Sequence, residues 1–241
     1  MVKRAVLFDL YGTLVRKKRI EEDLLEPALQ SVYHFLRDTG CDVDFESFRI
    51  IDEEVFTRLL NMRESDLQEI DLHTAYTEIL PKVGVPASND IINECILAFG
   101  KPTEECVWEL WPEVDYVLKV LRERSYVLAI VSNAQAVYAR RDLSQLFISH
   151  LFDVIVFTSE VGWVKPHKAI FQTALEKLKV DASEAVMVGD TFEEDIIGAK
   201  KIGLKTVLVA RTEKQQPRLN TRPDLTISNL QELIGKLDDL I

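Results

Sequence analysis

Two rhythms of apolar residues divide this chain. "RAVLFDL" (4–10) is nearly all apolar, the pattern of a short strand covered on both faces of a sheet. From about residue 20 to 105 the spacing becomes helical. "IEEDLLEPALQSVYHFLRDTG" gathers Leu24, Leu25, Ala28, Leu29, Val32, Phe35 and Leu36 on one face and stops at Gly40. "FESFRIIDEEVFTRLLNM" adds a stripe of Phe45, Phe48, Ile51, Val55, Leu59 and Met62, and helical stretches near 65–82 and 88–99 complete a four-helix unit. A further helix in "LWPEVDYVLKVLRERS" then gives way to strand candidates "YVLAIVS", "VIVFTS", "AVMVGD" and "KTVLVA", with mostly helical stretches between them. The alternation predicts an α/β fold, a parallel sheet wrapped on both sides, with the four-helix segment inserted after the first strand. A polar loop, "RTEKQQPRLNTRPD" (211–224), and a last helix in "SNLQELIGKLDDLI" close the chain. The expected division is 1–18 with 106–241 for the sheet and 19–105 for the insertion.

Composition narrows the function classes. Of 241 residues, 47% are apolar and 29% charged, as in globular rather than disordered chains. A net charge of −11 argues against nucleic acid as a partner, because phosphate backbones need a basic stripe. Charge is uneven: residues 20–105 hold 20 acidic and 6 basic residues, net −14, and the rest of the chain is net +3. The ordinary reading of the insertion is a solvated acidic helical face; the functional one is that it repels polyanions, leaving small substrates. No apolar run approaches the ~20 residues that cross a bilayer. The basic-then-apolar start "MVKRAVLFDLYG" is interrupted by Asp9 too early for a signal peptide, so it reads as a first strand in a cytoplasmic protein. Cys41, Cys95 and Cys106 lack metal-ligand spacing and read as reduced core residues.

The candidate chemistry lies at strand ends, where parallel sheets gather ligands. The first strand delivers Asp9, then Tyr11, Gly12 and Thr13; the second delivers Ser132 and Asn133. Lys165 follows the third in "VGWVKPHKAIF", and Asp190 follows the fourth in "VMVGDTFEEDIIGA", with Glu194 and Asp195 just behind. Each alone has an ordinary explanation as a turn, a helix cap or a surface residue. Together on one rim, two carboxylates, a hydroxyl and an ammonium suit a divalent metal and an anion. Asp9, Asp190 and a backbone carbonyl could hold Mg²⁺, letting Asp9 approach a phosphorus that would otherwise repel it. Ser132, Lys165 and N–H groups of the glycine turn would cradle the phosphoryl oxygens.

"FDLYGTLV", "VSNA", "VKPHKAIF" and "VGDTFEEDIIGAKKIGL" resemble the four ordered motifs of the haloacid-dehalogenase-like superfamily, over essentially the whole chain. The resemblance implies a Rossmann-like core and a mobile helical cap that closes over small substrates. It also implies Asp9 as nucleophile, Ser132 as phosphate donor, Lys165 as charge anchor and Asp190 as metal ligand. The Tyr11 carbonyl would be the third protein ligand to Mg²⁺, and Asp195 or Glu194 would orient metal-bound water or Lys165.

Tyr11 departs from most phosphatases that resemble this chain, which carry a catalytic aspartate there. A phenol with a pKa of ~10 is a poor base near neutrality. Tyrosine is common in the superfamily's carbon–halogen-cleaving members, whose halide leaves without a proton. Those members need no metal and typically replace the acid at the Asp190 position, which this chain keeps. The expectation is therefore a Mg²⁺-dependent phosphatase acting on a small phosphorylated metabolite through an aspartyl-phosphate on Asp9. It should favour aryl or acyl phosphates over alkyl ones. The alternatives are a metal-independent 2-haloacid dehalogenase using Asp9 on carbon, and a non-catalytic binding module. Trp108, Trp111 and Trp163 are expected to pack, and His34, His73, His150 and His167 show no ligand spacing.

Overall fold

A computed structural model describes residues 4–18, 24–103, 108–211 and 221–241. The chain divides into two compact units, Met1–Lys18 with Trp108–Ile241, and Arg19–Val107. The first is built on a six-stranded sheet, ordered by position as β5-β4-β1-β6-β7-β8. In chain order these are β1 (Ala5–Phe8), β4 (Val127–Ser132), β5 (Val154–Phe157), β6 (Ala185–Gly189), β7 (Lys205–Val209) and β8 (Leu225–Ile227). Every pairing in the sheet is parallel. The fold is α/β, as expected.

The register explains why β1 reads as an unbroken apolar run. Ala5 and Leu7 face a core with helix α8 (Lys168–Leu178), while Val6 and Phe8 face another with helix α5 (Val114–Glu123). All four are fully buried, so alternation puts apolar side chains on both sheet faces. The same register brings Phe8 level with Ile130 and Val188, so the ends of β1, β4 and β6 lie side by side.

Three local expectations are corrected. "LW" of "LWPEV" is not helical: Trp108–Leu110 is a strand, β3, paired antiparallel with β2 (Val15–Lys17), and α5 begins only after Pro112. The "VIVFTS" strand stops at Phe157, and Thr158 opens the short helix α7 (Thr158–Val161). The closing helix is broken: helix α10 (Leu233–Lys236) lies between 3₁₀ turns at Leu230–Glu232 and Leu237–Asp239. It still buries Leu230, Leu233 and Leu237, so burial is kept without a continuous helix.

The second unit contains helices α1 (Leu25–Asp38), α2 (Phe45–Asp66), α3 (Leu72–Lys82) and α4 (Asn89–Phe99). Asp44, Asp71 and Ser88 cap α2, α3 and α4 by accepting from backbone N–H groups. The Asp71 cap explains why the third helix starts at 72 rather than near 65. Leu29, Val32, Leu36, Phe48, Val55, Tyr76, Ile79, Leu80 and Ile92 form the core. Leu25 and Met62 are exposed, at helix ends where fewer neighbours surround a side chain. Cys41 and Cys95 are buried and unpaired, whereas Cys106 and positions 212–220 of the polar loop lie outside the described residues. Among the described residues no helix is long and apolar enough to cross a membrane.

Candidate active site

The level strand ends bring the chemistry together. Asp9 follows β1 directly and its N–H donates to Val188 O of β6 at 2.9 Å. Ser132 is the buried last residue of β4, and Asp190 follows Gly189 at the end of β6. Lys165, buried, reaches in after α7, and its Nζ donates to Asp9 Oδ1 and Asp195 Oδ1, 2.7 Å each. Asp195 comes from a single π-helical turn, Phe192–Ile197, a wide form of helix common at functional sites. Its other oxygen accepts from the Thr191 N–H at 3.0 Å.

Asp9, Asp190 and Asp195 each offer an oxygen, all within 4.8 Å of one another. Lys165 is bonded to two of these three carboxylates, Asp9 and Asp195. Burial, with Asp195 and Asp190 nearby, pushes the Asp9 carboxyl above the usual aspartate range against the pull of Lys165. Burial and Asp195 do the same to Asp190, against a hydrogen bond from the Thr13 hydroxyl at 3.3 Å. Burial works against the Lys165 ammonium, but Asp195 and Asp9 outweigh it and hold the lysine charged. Three acidic groups this close together, each offering an oxygen, fit a divalent cation with oxygen ligands. Close packing leaves it no slack: a Cβ on Gly12 would run into the Asp190 carboxylate, and one on Gly189 into that of Asp195. Gly12 also has φ +92°, a conformation that favours glycine.

The 10–15 loop accounts for nearly all its carbonyls. Leu10 O accepts from Leu14 and Val15, and Val15 O accepts from Gly12. Leu14 O accepts from the Trp111 N–H, Gly12 O from Trp111 Nε1 at 3.3 Å, and Thr13 O from Arg211 at 3.2 Å. No hydrogen bond from a described residue reaches the carbonyl of Tyr11. That oxygen remains available as a ligand, whereas the Tyr11 side chain is committed elsewhere. Its hydroxyl donates to Asp142 Oδ2 at 2.7 Å, and its ring lies 4.5 Å from that of Trp108. Burial and the Asp142 carboxylate push the phenol above its ordinary range, so it stays protonated.

Asn133 acts as a staple. Its Oδ1 accepts from the Lys165 N–H at 2.8 Å, while its Nδ2 donates to Glu194 at 2.9 Å and Lys165 O at 3.3 Å. It thus fixes the backbone that carries the lysine. His167, two residues on, accepts from the Ala169 N–H to cap α8 and stacks on Trp163. Sequence reasoning missed Asp142, Glu113 and Arg211, and took Trp111 only as packing. Asp142, Trp111 and Arg211 have partners in the loop about 100 to 200 residues away, Glu113 acts through Arg211, and no local motif marks such pairs.

The model of the haloacid dehalogenase-like hydrolases matches residues 46–209. A glyceraldehyde 3-phosphate phosphatase of Methanopyrus kandleri is 28% identical over 98% of both chains. A ribulose-1,5-bisphosphate 5-phosphatase of Halopiger xanaduensis is 32% identical, also over 98% of both. Among solved structures, a 2-haloacid dehalogenase from Pseudomonas syringae aligns over 100% of both chains with a TM-score of 0.70 and 27% identity.

Proposed function

This chain belongs to the haloacid dehalogenase-like hydrolases, and we propose that it is a Mg²⁺-dependent phosphatase that hydrolyses small phosphate monoesters through Asp9. The observation that carries this reading is the cluster of Asp9, Asp190 and Asp195, with Lys165 bonded to two of the three, at the end of the strand that leads into Tyr11, whose carbonyl no described residue engages. Phosphatase names among full-length relatives support it independently.

Asp9, Asp190 and the Tyr11 carbonyl would hold the cation; Asp195 is already engaged by Lys165 and Thr191. When bound, the ion would offset the charge repulsion that otherwise keeps a carboxylate from a phosphate. Asp9 Oδ attacks phosphorus, an O–P bond forms, and the bond to the leaving oxygen breaks. Lys165 balances charge on Asp9, and Ser132 with loop N–H groups binds the phosphoryl oxygens. Water then cleaves the aspartyl-phosphate and returns Asp9. With the Tyr11 proton held on Asp142, the leaving oxygen takes its proton from water, which favours aryl and acyl phosphates. Cytoplasmic residence, consistent with two buried unpaired cysteines, belongs to the same reading.

The second reading is 2-haloacid dehalogenation, favoured by Tyr11 and by the solved dehalogenase. Against it, Asp190 would set another carboxylate beside the nucleophile, where it would repel a haloacid. Assays with p-nitrophenyl phosphate and 2-chloropropionate, each with Mg²⁺ or chelator, decide. Phosphate release abolished by chelator is the expected result. Metal-independent chloride release would establish the dehalogenase instead, and binding without any turnover would leave a non-catalytic module.

A further inference from the structure

We propose that Trp111 and Arg211 are positioning residues that clamp the 10–15 loop from outside and thereby present the Tyr11 carbonyl and Asp190 to the cation; this rests on the metal-dependent reading above. Four observations carry it. Trp111 Nε1 donates to Gly12 O and the Trp111 N–H donates to Leu14 O at 3.1 Å. Arg211 donates to Thr13 O, so the three carbonyls after Tyr11 are all held by donors from outside the loop. The Tyr11 carbonyl, immediately before them, receives no donor from the described residues. Finally, Thr13, whose carbonyl Arg211 grips, gives its hydroxyl to Asp190 Oδ1.

The clamp is itself braced. The Arg211 guanidinium lies 4.0 Å from the centre of the Trp111 ring, and its Nη2 also donates to Glu113 Oε1 at 2.7 Å. Glu113 is buried, and the Arg211 side chain is only 10% exposed, so the pair is shielded from solvent and holds one geometry. Both bonds leave one guanidinium nitrogen, Nη2, which reaches Glu113 and Thr13 O together while the rest of the group lies over the Trp111 ring, a contact that a lysine ammonium reproduces only in part. Trp111 has the same dependence on shape: its ring carries the guanidinium while its N–H fixes Gly12. Both side chains therefore act on the metal site through the loop backbone, without touching the ion. Outer-shell partners of this kind typically change metal affinity 10–100-fold when removed.

The test is Mg²⁺ binding by calorimetry to the full chain, with p-nitrophenyl phosphate turnover measured in parallel, for wild type, Arg211→Gln, Arg211→Lys and Trp111→Phe. Arg211→Gln is expected to raise the Mg²⁺ Kd about 10-fold and to lower kcat more than it changes KM. Arg211→Lys should recover part of that loss, and Trp111→Phe, which keeps an aromatic ring but loses the indole N–H and part of the ring face, should raise Kd about 3-fold. Wild-type Kd in folded Arg211→Gln and Trp111→Phe would overturn the clamp and leave the phosphatase reading standing. If Arg211→Gln does not fold, Trp111→Phe decides by the same criterion. Wild type that takes up no Mg²⁺ would overturn both, whereas uptake with shifted Kd but no phosphate release would support the clamp and sink the phosphatase.

Discussion

In the sheet unit Lys165 stands between Asp9 and Asp195, 2.7 Å from each, while in the helical unit Asp52 is buried within α2 with one carboxylate oxygen that no donor reaches. Both units bury charge, but Asp9 and Asp195 meet opposite charge and backbone structure that holds them, while among the described residues no ion pair reaches Asp52. A paired set of buried ions is costly to assemble and costly to break, so it persists where its chemistry is used. The lone carboxyl of Asp52 responds differently: burial pushes its pKa up to about 7, and it can discard its charge by taking a proton. Organised charge keeps its state, and isolated charge follows the pH.

The largest test of that contrast is Asp9→Asn. Phosphate release from an aryl phosphate should fall by at least about 10⁴-fold while the fold is retained, as for removal of a nucleophile. Next is Lys165→Met, which leaves Asp9 and Asp195 buried without their shared cation. Urea unfolding should show a loss on the order of 3–5 kcal/mol, relieved in part by the further change Asp195→Asn.

Asp52 should behave in the opposite sense. Its folded pKa of about 7 lies above the ordinary aspartate value of 3.8, so between them the folded state binds the extra proton. Stability is therefore full below the ordinary value and declines as pH rises toward 7. Asp52→Asn should abolish that decline and stabilise the chain at pH 8 by up to about 3 kcal/mol, read by urea melts at pH 5 and pH 8. A wild-type chain equally stable at both pH values would remove the contrast. The smallest effect is stabilisation by the ion: Mg²⁺ at 100 times its Kd should add about 2.7 kcal/mol to wild type and much less to Asp190→Asn, seen as a shift in Tm.

The legible parts of this molecule were local in origin. β1 could be read because apolar residues on both its faces leave an unbroken run, and α2 because its caps and stripe lie within one segment. Asp9, Lys165 and Asp190 could be picked out because each follows an apolar strand or turn signal. The β2–β3 pair was not legible: three residues at 15–17 and three at 108–110 carry too short a pattern, and their pairing spans the whole helical unit. Nothing local marks the role of Asn133 either: its hydrogen bonds tie Lys165 to Glu194, partners 32 and 61 residues away.

By itself the sequence determined the two kinds of unit, the parallel sense of the sheet, five of its six strands and which acids end them, since periodicity and turn chemistry act between near neighbours. Only the tertiary structure decided that Tyr11 gives its hydroxyl to Asp142, that no described residue engages its carbonyl, and that Asp195 belongs to Lys165. Those choices depend on distances of a few ångströms between segments far apart in the chain, and such distances are fixed by how the core packs rather than by any residue's neighbours.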